Sequence, residues 1–123
     1  MYKVGRERAG MSIGTDIAAI DMWIDSNTPP AFKANPILAL YGRVAKVGEE
    51  SGEVMQALIG ATGQNPRKGF SHTIDDVTSE LADVVLTALC AIQHITKNDT
   101  ETMRIVENKI SAVIQRVDIK AAA

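Results

Sequence analysis

Residues 49–53 read EESGE, three carboxylates within five positions. A second acidic pair, Glu80 and Asp83, stands in ELAD. On a helix, side chains three or four positions apart share a face, and both Glu50/Glu53 and Glu80/Asp83 have that spacing. Each pair also borders an apolar stripe: Glu50 lies between Val47 and Val54, and Glu80 between Val77 and Val84, at the same offsets of three and four. If the two helices pack antiparallel, four carboxylates converge on one point. Such acids repel strongly once partly desolvated. Protonation would relieve them but remove their value as ligands. A hard divalent cation is the better answer, because Mg²⁺ takes oxygen ligands octahedrally and leaves positions for water or substrate phosphate. A lone EExxE string is usually a solvated helix face; the second, matched pair in apolar surroundings favours a metal cage. Gly52 weakens its helix by about 1 kcal/mol relative to Ala, a cost that close approach of another backbone would justify.

Four helical stretches are expected to carry these residues. The first spans about 12–25, with Ile13, Ile17, Ile20 and Ile24 at helical spacing. SNTPPAFKANP, with three prolines, reads as a loop. Asn35 as cap and Pro36 in the first turn start a second helix that runs to about Gly60, its stripe being Leu40, Val44, Val47, Ser51, Val54 and Leu58. GATGQNPRKGFSH is the next loop. Thr73 caps a third helix to about Thr96, with Asp75 and Asp76 at its positive end and a stripe of Val77, Leu81, Val84, Ala88, Ile92 and Ile95. A fourth helix, about 100–117, carries Met103, Val106, Ile110, Val113 and Val117. No alternating strand pattern persists. The fold expected is all-α, an antiparallel bundle of about four helices, with residues 1–11 a leader, 12–118 the domain and 119–123 a tail.

Composition narrows the functions. The chain has 123 residues, enough for one domain with a modest core. It is 46% apolar but only 4% aromatic, so aliphatic side chains must build that core, and such extended stripes favour completion by oligomerisation. A net charge of −2 provides no footprint for duplex nucleic acid. The apolar stretches are too short and too interrupted to span a membrane, and no secretory h-region follows the basic start. The single cysteine, Cys90, lies in VVLTALCAIQHI and reads as a buried core thiol in a reduced, cytoplasmic compartment.

The EESGE…ELAD arrangement resembles the EExxE…ExxD signature of the all-α nucleoside triphosphate pyrophosphohydrolases, and is most similar to their MazG-like branch. The resemblance runs from AIDMWIDSN through LTALCAI and is densest in KVGEESGEVMQALIGATGQNPRKG. It implies Mg²⁺-dependent hydrolysis (Mn²⁺ a substitute) of a nucleoside triphosphate between the α- and β-phosphates, giving a monophosphate and pyrophosphate. Carried over by motif position, Glu50, Glu53, Glu80 and Asp83 are the implied metal ligands. Glu49, about 100° from Glu50, either serves a second metal or accepts a proton from the attacking water. Lys46, four residues before Glu50, either reaches a phosphate or only pairs with Glu49 or Glu50. Asn65, Arg67 and Lys68 in NPRKG either bind phosphate from the loop or simply solvate it. Trp23 reads as a packing or interface residue rather than a base-stacking one, and His72 and His94 as cap-region and helix-surface residues. A homodimer or homotetramer is expected. The competing readings are a phosphoribosyl-ATP pyrophosphohydrolase or a dUTPase- or dCTPase-like member of the same superfamily, and, from a different class, a non-catalytic helical partner-binding module.

Overall fold

The computed structural model describes residues 12–117, and all regular structure among them is helical. The expected leader 1–11 and tail 119–123 lie outside the described residues, as does residue 118. Five helices follow one another: α1 (Ile13–Asn27), α2 (Pro30–Lys33), α3 (Pro36–Thr62), α4 (Ile74–Thr96) and α5 (Asp99–Arg116). The fifth element is α2, a single turn inside the stretch expected to be pure loop. Pro29 and Pro30 explain it, since a fixed φ and a missing N–H suit the first turn of a helix.

Each long helix starts on a side-chain cap. Ser12 Oγ accepts from Thr15 N–H at 3.1 Å, and Asn35 Oδ1 accepts from Ile37 N–H and Leu38 N–H. Thr73 and Asp76 form a reciprocal capping box, and the bond from Thr73 N–H holds the Asp76 carboxyl below its usual range. Asn98 accepts from Glu101 N–H at the start of α5. α3 ends on Gly63 in the left-handed region, φ 64°. α4 ends on Lys97 at φ 51°, the one described non-glycine residue with positive φ. That conformation costs a β-carbon-bearing residue about 1–2 kcal/mol, so something must hold it.

α3 and α4 form the main pair, with α1 and α5 against α4, and α2 against α3. The pair is antiparallel. At one end a β-carbon on Gly60 would collide with Ser71 and His72; midway Glu50 meets Glu80 and Asp83; further on Arg43 faces His94. Gly14 allows a second close approach, with Asp99 and Met103 of α5 against its missing side chain.

The inner faces differ from the expected stripes. On α3 the buried residues are Arg43, Glu50, Ala57 and Gly60, while Val44, Ser51 and Leu58 are exposed. On α4 they are Cys90, Ala91 and Gln93, while Leu81 and Ile95 are exposed. Glu50 therefore occupies the buried face itself rather than bordering it. The apolar stripes are split: Leu40, Val47 and Val54 of α3 and Val77, Val84, Ala88 and Ile92 of α4 are half-buried, and the remaining members turn outward. In the same way Ile110, Val113 and Val117 of α5 are exposed, and the buried contact of that helix is Thr102, whose hydroxyl donates to Gln93 Oε1 at 2.7 Å. Among the described residues the buried apolar side chains are only Ile17, Ala57, Cys90 and Ala91.

Candidate functional site

Seven-residue spacing places Arg43, Glu50 and Ala57 on the same face of α3, toward α4. Opposite them, Glu80 and Asp83 occupy adjacent positions on the facing side of α4. A carboxylate oxygen from each of Glu50, Glu80 and Asp83 lies within 4.8 Å of the others. Glu50 is buried, and Glu80 and Asp83 are half-buried. Glu53 adjoins this group. The charge of Glu50, then desolvation, then the charge of Glu80 push its carboxyl above the ordinary range. The four acids expected to converge thus do so, three tightly and one as an electrostatic neighbour.

Lys46 is the cation closest at hand. Its Nζ lies 3.1 Å from Glu49 Oε2 and 3.1 Å from Glu50 Oε1, and those two hydrogen bonds raise its pKa. Of the two roles open to Lys46, the structure shows the pairing one. Glu49 itself is exposed at the rim, on the far side of Lys46 from the buried acids.

The donor set suits a hard cation. Three oxygens are close enough to share one ion, all come from carboxylates, and the one strong local countercharge is a half-exposed lysine that can move away. Soft donors are absent from the group.

One helical turn from the acids, a cavity of about 530 Å³ opens between α1, α2, α3 and α4. Trp23, Ile24, Phe32, Leu38, Leu86 and Cys90 give it apolar walls, and Asp25, Arg43 and Lys46 are its charged lining. Its lining comes within one turn of the acid group on both helices. Lys46 precedes Glu50 by four, and Thr87, which donates to the Asp83 carbonyl at 3.0 Å, follows Asp83 by four. Trp23, expected as a packing or interface residue, is largely exposed at this cavity.

Asn65, Arg67 and Lys68 are placed elsewhere. They form the tip of the α3–α4 hairpin, where Asn65 Oδ1 accepts from Arg67 N–H at 3.1 Å. The end of α3 at Thr62 is already twelve residues past Glu50, about 18 Å along the axis, and the cavity lies in the other direction. Within one chain these three residues are therefore not brought together with the acids or the cavity.

A second constellation was missed from sequence. Arg43 Nη2 lies 2.9 Å from Asp21 Oδ1 and 2.8 Å from Asp25 Oδ1, and also donates to the Asp21 carbonyl at 3.2 Å. The Asp21 contact is an ion pair rather than a hydrogen bond, since Asp21 Oδ1 and Arg43 Nη1 both lack a hydrogen-bond partner. Lys97 Nζ reaches Asp21 Oδ2 at 3.0 Å and Asp25 Oδ2 at 3.2 Å, which accounts for the left-handed backbone of Lys97. His94 Nδ1 lies 3.2 Å from the same ammonium. Burial first, then the charges of Lys97 and Arg43, keep His94 below its ordinary pKa, so it accepts from Lys97 as a neutral ring. Burial alone would raise Asp25, but the Lys97 bond and the Lys97 and Arg43 charges outweigh it and hold that carboxyl low. Asp21, Asp25 and His94 have metal-ligand proximity. Two carboxylates already balanced by two cations leave no charge for a metal to offset, so the group acts as a clamp joining α1 to α3 and α4. His94 is accordingly an interior member of this clamp, not the helix-surface residue expected. The available signal was the i, i+4 spacing of Asp21 and Asp25 beside Ile17, Ile20 and Ile24, with Arg43 seven residues before Glu50.

Cys90 is buried, as expected, and burial pushes its thiol pKa up, which removes it as a nucleophile. His72 is exposed beside the α4 cap, 2.9 Å from Ser71 Oγ. No described helix is long and apolar enough to cross a membrane. Comparison with protein-family models, with curated proteins and with solved structures finds no match.

Proposed function

We propose that this chain is a Mg²⁺-dependent nucleoside triphosphate pyrophosphohydrolase of the MazG-like kind, one that cleaves between the α- and β-phosphates and works as a homodimer or homotetramer. The observation that carries the reading is the convergence of Glu50, Glu80 and Asp83, with Glu53 beside them, one helical turn from a cavity with apolar walls. That pairing suits a nucleotide, whose base needs an apolar, aromatic-edged pocket and whose phosphates need a cation. A pocket of about 530 Å³ is in the range of small-molecule sites.

Glu50, Glu80 and Asp83 would hold the metal, with Glu53 completing or flanking the set. Bound there, Mg²⁺ neutralises phosphate charge and makes water more acidic. The remaining work belongs to the side chains. Trp23 and Phe32 offer faces for a base at the cavity mouth, and the apolar wall excludes water from it. Lys46, released from Glu49 and Glu50 once their charge is otherwise satisfied, has the reach to turn its ammonium from the acids toward a phosphate entering from the cavity it lines. Glu49, exposed and freed from Lys46 in the same movement, would then be available to take the proton from attacking water. Water adds to one of the two phosphorus atoms flanking the bridge, the bridging oxygen leaves with the bond electrons, and the products are monophosphate and pyrophosphate.

The test is a panel of ordinary and damaged nucleoside triphosphates, with phosphoribosyl-ATP, dUTP and dCTP included, in Mg²⁺ or Mn²⁺. Pyrophosphate and orthophosphate are measured separately. Pyrophosphate with monophosphate supports the reading and the preferred base separates it from its relatives in the superfamily. Direct release of orthophosphate from the triphosphate, with no pyrophosphate trapped, refutes it. No hydrolysis of any nucleotide in the panel by the folded chain would return it to the non-catalytic class, and activity untouched by replacing the acids would refute the acid group as its site.

A further inference from the structure

The cavity beside the acids has a lopsided polar lining, made by Asp25, Thr28, Arg43, Lys46 and Thr87. Its donors are mostly spent. The Thr28 hydroxyl donates to the Ile24 carbonyl at 2.7 Å, and the Thr87 hydroxyl to the carbonyls of Asp83 and Val84. The buried Arg43 turns Nη2 to Asp25 Oδ1 and the Asp21 carbonyl, and its unpartnered Nη1 is sealed from solvent. Lys46 is held by Glu49 and Glu50, and in the nucleotide reading it goes to phosphate. The Trp23 indole N–H points along its own ring plane, away from a base stacked on the face. Acceptors, by contrast, remain open. Burial notwithstanding, Lys97 and Arg43 hold the Asp25 carboxyl ionised, and an ionised carboxylate only accepts. Arg43 and Lys97 each take one site of its two oxygens, which offer about four, and the side chain is 33% exposed. The Thr28 and Thr87 oxygens keep lone pairs as well.

Open acceptors and spent donors sort bases by their edges. An exocyclic amino group finds partners in such a lining. A carbonyl oxygen finds none, and burying it unpaired is penalised. Guanine and cytosine carry a carbonyl beside the amino group, and uracil and thymine carry carbonyls only. Adenine alone among the common bases has an amino group and no carbonyl. We infer that the cavity is built for an adenine base, with Asp25 accepting from its exocyclic amino group. The inference rests on the nucleotide reading and narrows it to adenine nucleotides.

Position agrees with the chemistry. Asp25 is bonded to Arg43, and the order along α3 is Arg43, Lys46, Glu50. From Arg43 to Glu50 the helix advances about 10 Å, comparable with the reach from a purine's amino group to its inner phosphates. A base edge at Asp25 therefore leaves the phosphates level with Lys46 and the acids. Size does not choose the base, since a cavity of about 530 Å³ admits any of them. Guanine is the nearest rival, because its ring N–H and amino group also meet acceptors. Its carbonyl, on the same edge, would face the Asp25 carboxylate with no donor between them.

The experiment sets ATP against GTP and inosine triphosphate, in which a carbonyl replaces the amino group of adenine. Wild type with Mg²⁺ should use ATP with a kcat/KM about tenfold or more above either rival. A second arm needs no catalysis: adenosine and inosine are titrated in EDTA against the fluorescence of Trp23, the chain's one tryptophan, and adenosine should bind about tenfold tighter or better. Asp25→Asn brings an N–H donor to the site and should pull the ATP-to-inosine-triphosphate ratio below about threefold. If that variant loses the clamp and does not fold, Leu38→Gln puts a donor in the apolar wall with the clamp intact and should narrow the same ratio. Inosine triphosphate or GTP used as well as ATP overturns the inference. So does a folded Asp25→Asn that keeps the full preference, or, where only Leu38→Gln folds, a ratio it leaves unchanged. If no nucleotide is hydrolysed, the catalytic reading fails and the nucleoside titration decides the cavity by itself: adenosine binding no tighter than inosine, or neither binding, overturns the inference there too.

Discussion

Neutralising Glu80 separates a metal cage from a structural ion network, because the two predict opposite signs. Glu80 has two carboxylates within 4.8 Å, those of Glu50 and Asp83, and it raises the pKa of Glu53. At 4.8 Å two unit charges repel by about 3.5 kcal/mol at an effective dielectric of 20 and about 1 kcal/mol in bulk water. The site is half open, and Lys46 already offsets part of the Glu50 charge at 3.1 Å. The net relief from Glu80→Gln is therefore about 1–2 kcal/mol. Metal-free variant should melt higher than wild type by roughly 5–10 °C. With Mg²⁺ the order reverses. Selective binding at a hundred times Kd stabilises wild type by about 2.7 kcal/mol, while the variant, short of one charged ligand, gains little at the same concentration. Differential scanning calorimetry with EDTA and with Mg²⁺ at one protein concentration reads both effects. A variant that melts lower than wild type in EDTA and responds equally to Mg²⁺ refutes the cage, since it would mean that Glu80 stabilises the fold through partners of opposite charge.

Other outcomes follow from the same geometry. Glu49→Gln should lower kcat by about 10²–10⁴-fold while keeping the Mg²⁺-dependent rise in Tm, as activity assays and calorimetry on the same preparation would show. Arg43→Met leaves Asp21 buried against a half-exposed Lys97 alone and should cost about 3–5 kcal/mol by urea denaturation. A loss below about 1 kcal/mol would deny the clamp. His94 is held below its ordinary value of 6.5, so the unfolded chain takes up a proton that the folded one refuses. Stability should be level above pH 6.5 and fall as pH drops from there toward the folded pKa. His94→Gln should flatten that window, and a slope that persists in the variant would assign it to another group.

The elements of this fold were legible where local chemistry decides them. Ser12, Asn35 and Thr73 announce helix starts because a cap needs only its own side chain and the next turn. The acid pairs were legible for a related reason: i, i+3 spacing fixes a shared face before any packing is known. Orientation about the helix axis was harder. Val44 and Leu58 looked like core because apolar stripes usually face inward, yet in this chain they lie exposed and Arg43 and Glu50 are buried. The clamp was hidden because its members come from α1, α3 and the α4 end, 76 residues apart between Asp21 and Lys97, and no local pattern joins them. Asn65, Arg67 and Lys68 stand apart from the acids for the opposite reason, since closeness in sequence to EESGE becomes distance once α3 runs straight for three more turns.

These misreadings share one cause, which bears on how the site is built. α3 carries Arg43 and Glu50 toward its neighbours while Val44 and Leu58 of its apolar stripe lie exposed, a partial inversion of the usual helix. Burying Arg43 and Glu50 is tolerable only where each has a counterpart, and each does: Arg43 has Asp21 and Asp25, and Glu50 has Lys46. The two cases differ in what is left over. The clamp closes with two cations against two carboxylates. The acid group has Glu50, Glu53, Glu80 and Asp83 against one ammonium, which Glu49 also claims. A helix pair that turns this unbalanced charge inward gains nothing in stability from it, and its aliphatic side chains, displaced to the outer flank, need cover from elsewhere. The first of these needs is the one that the proposed cation at the seam would answer, since a divalent ion there would offset the charge that Lys46 leaves unbalanced.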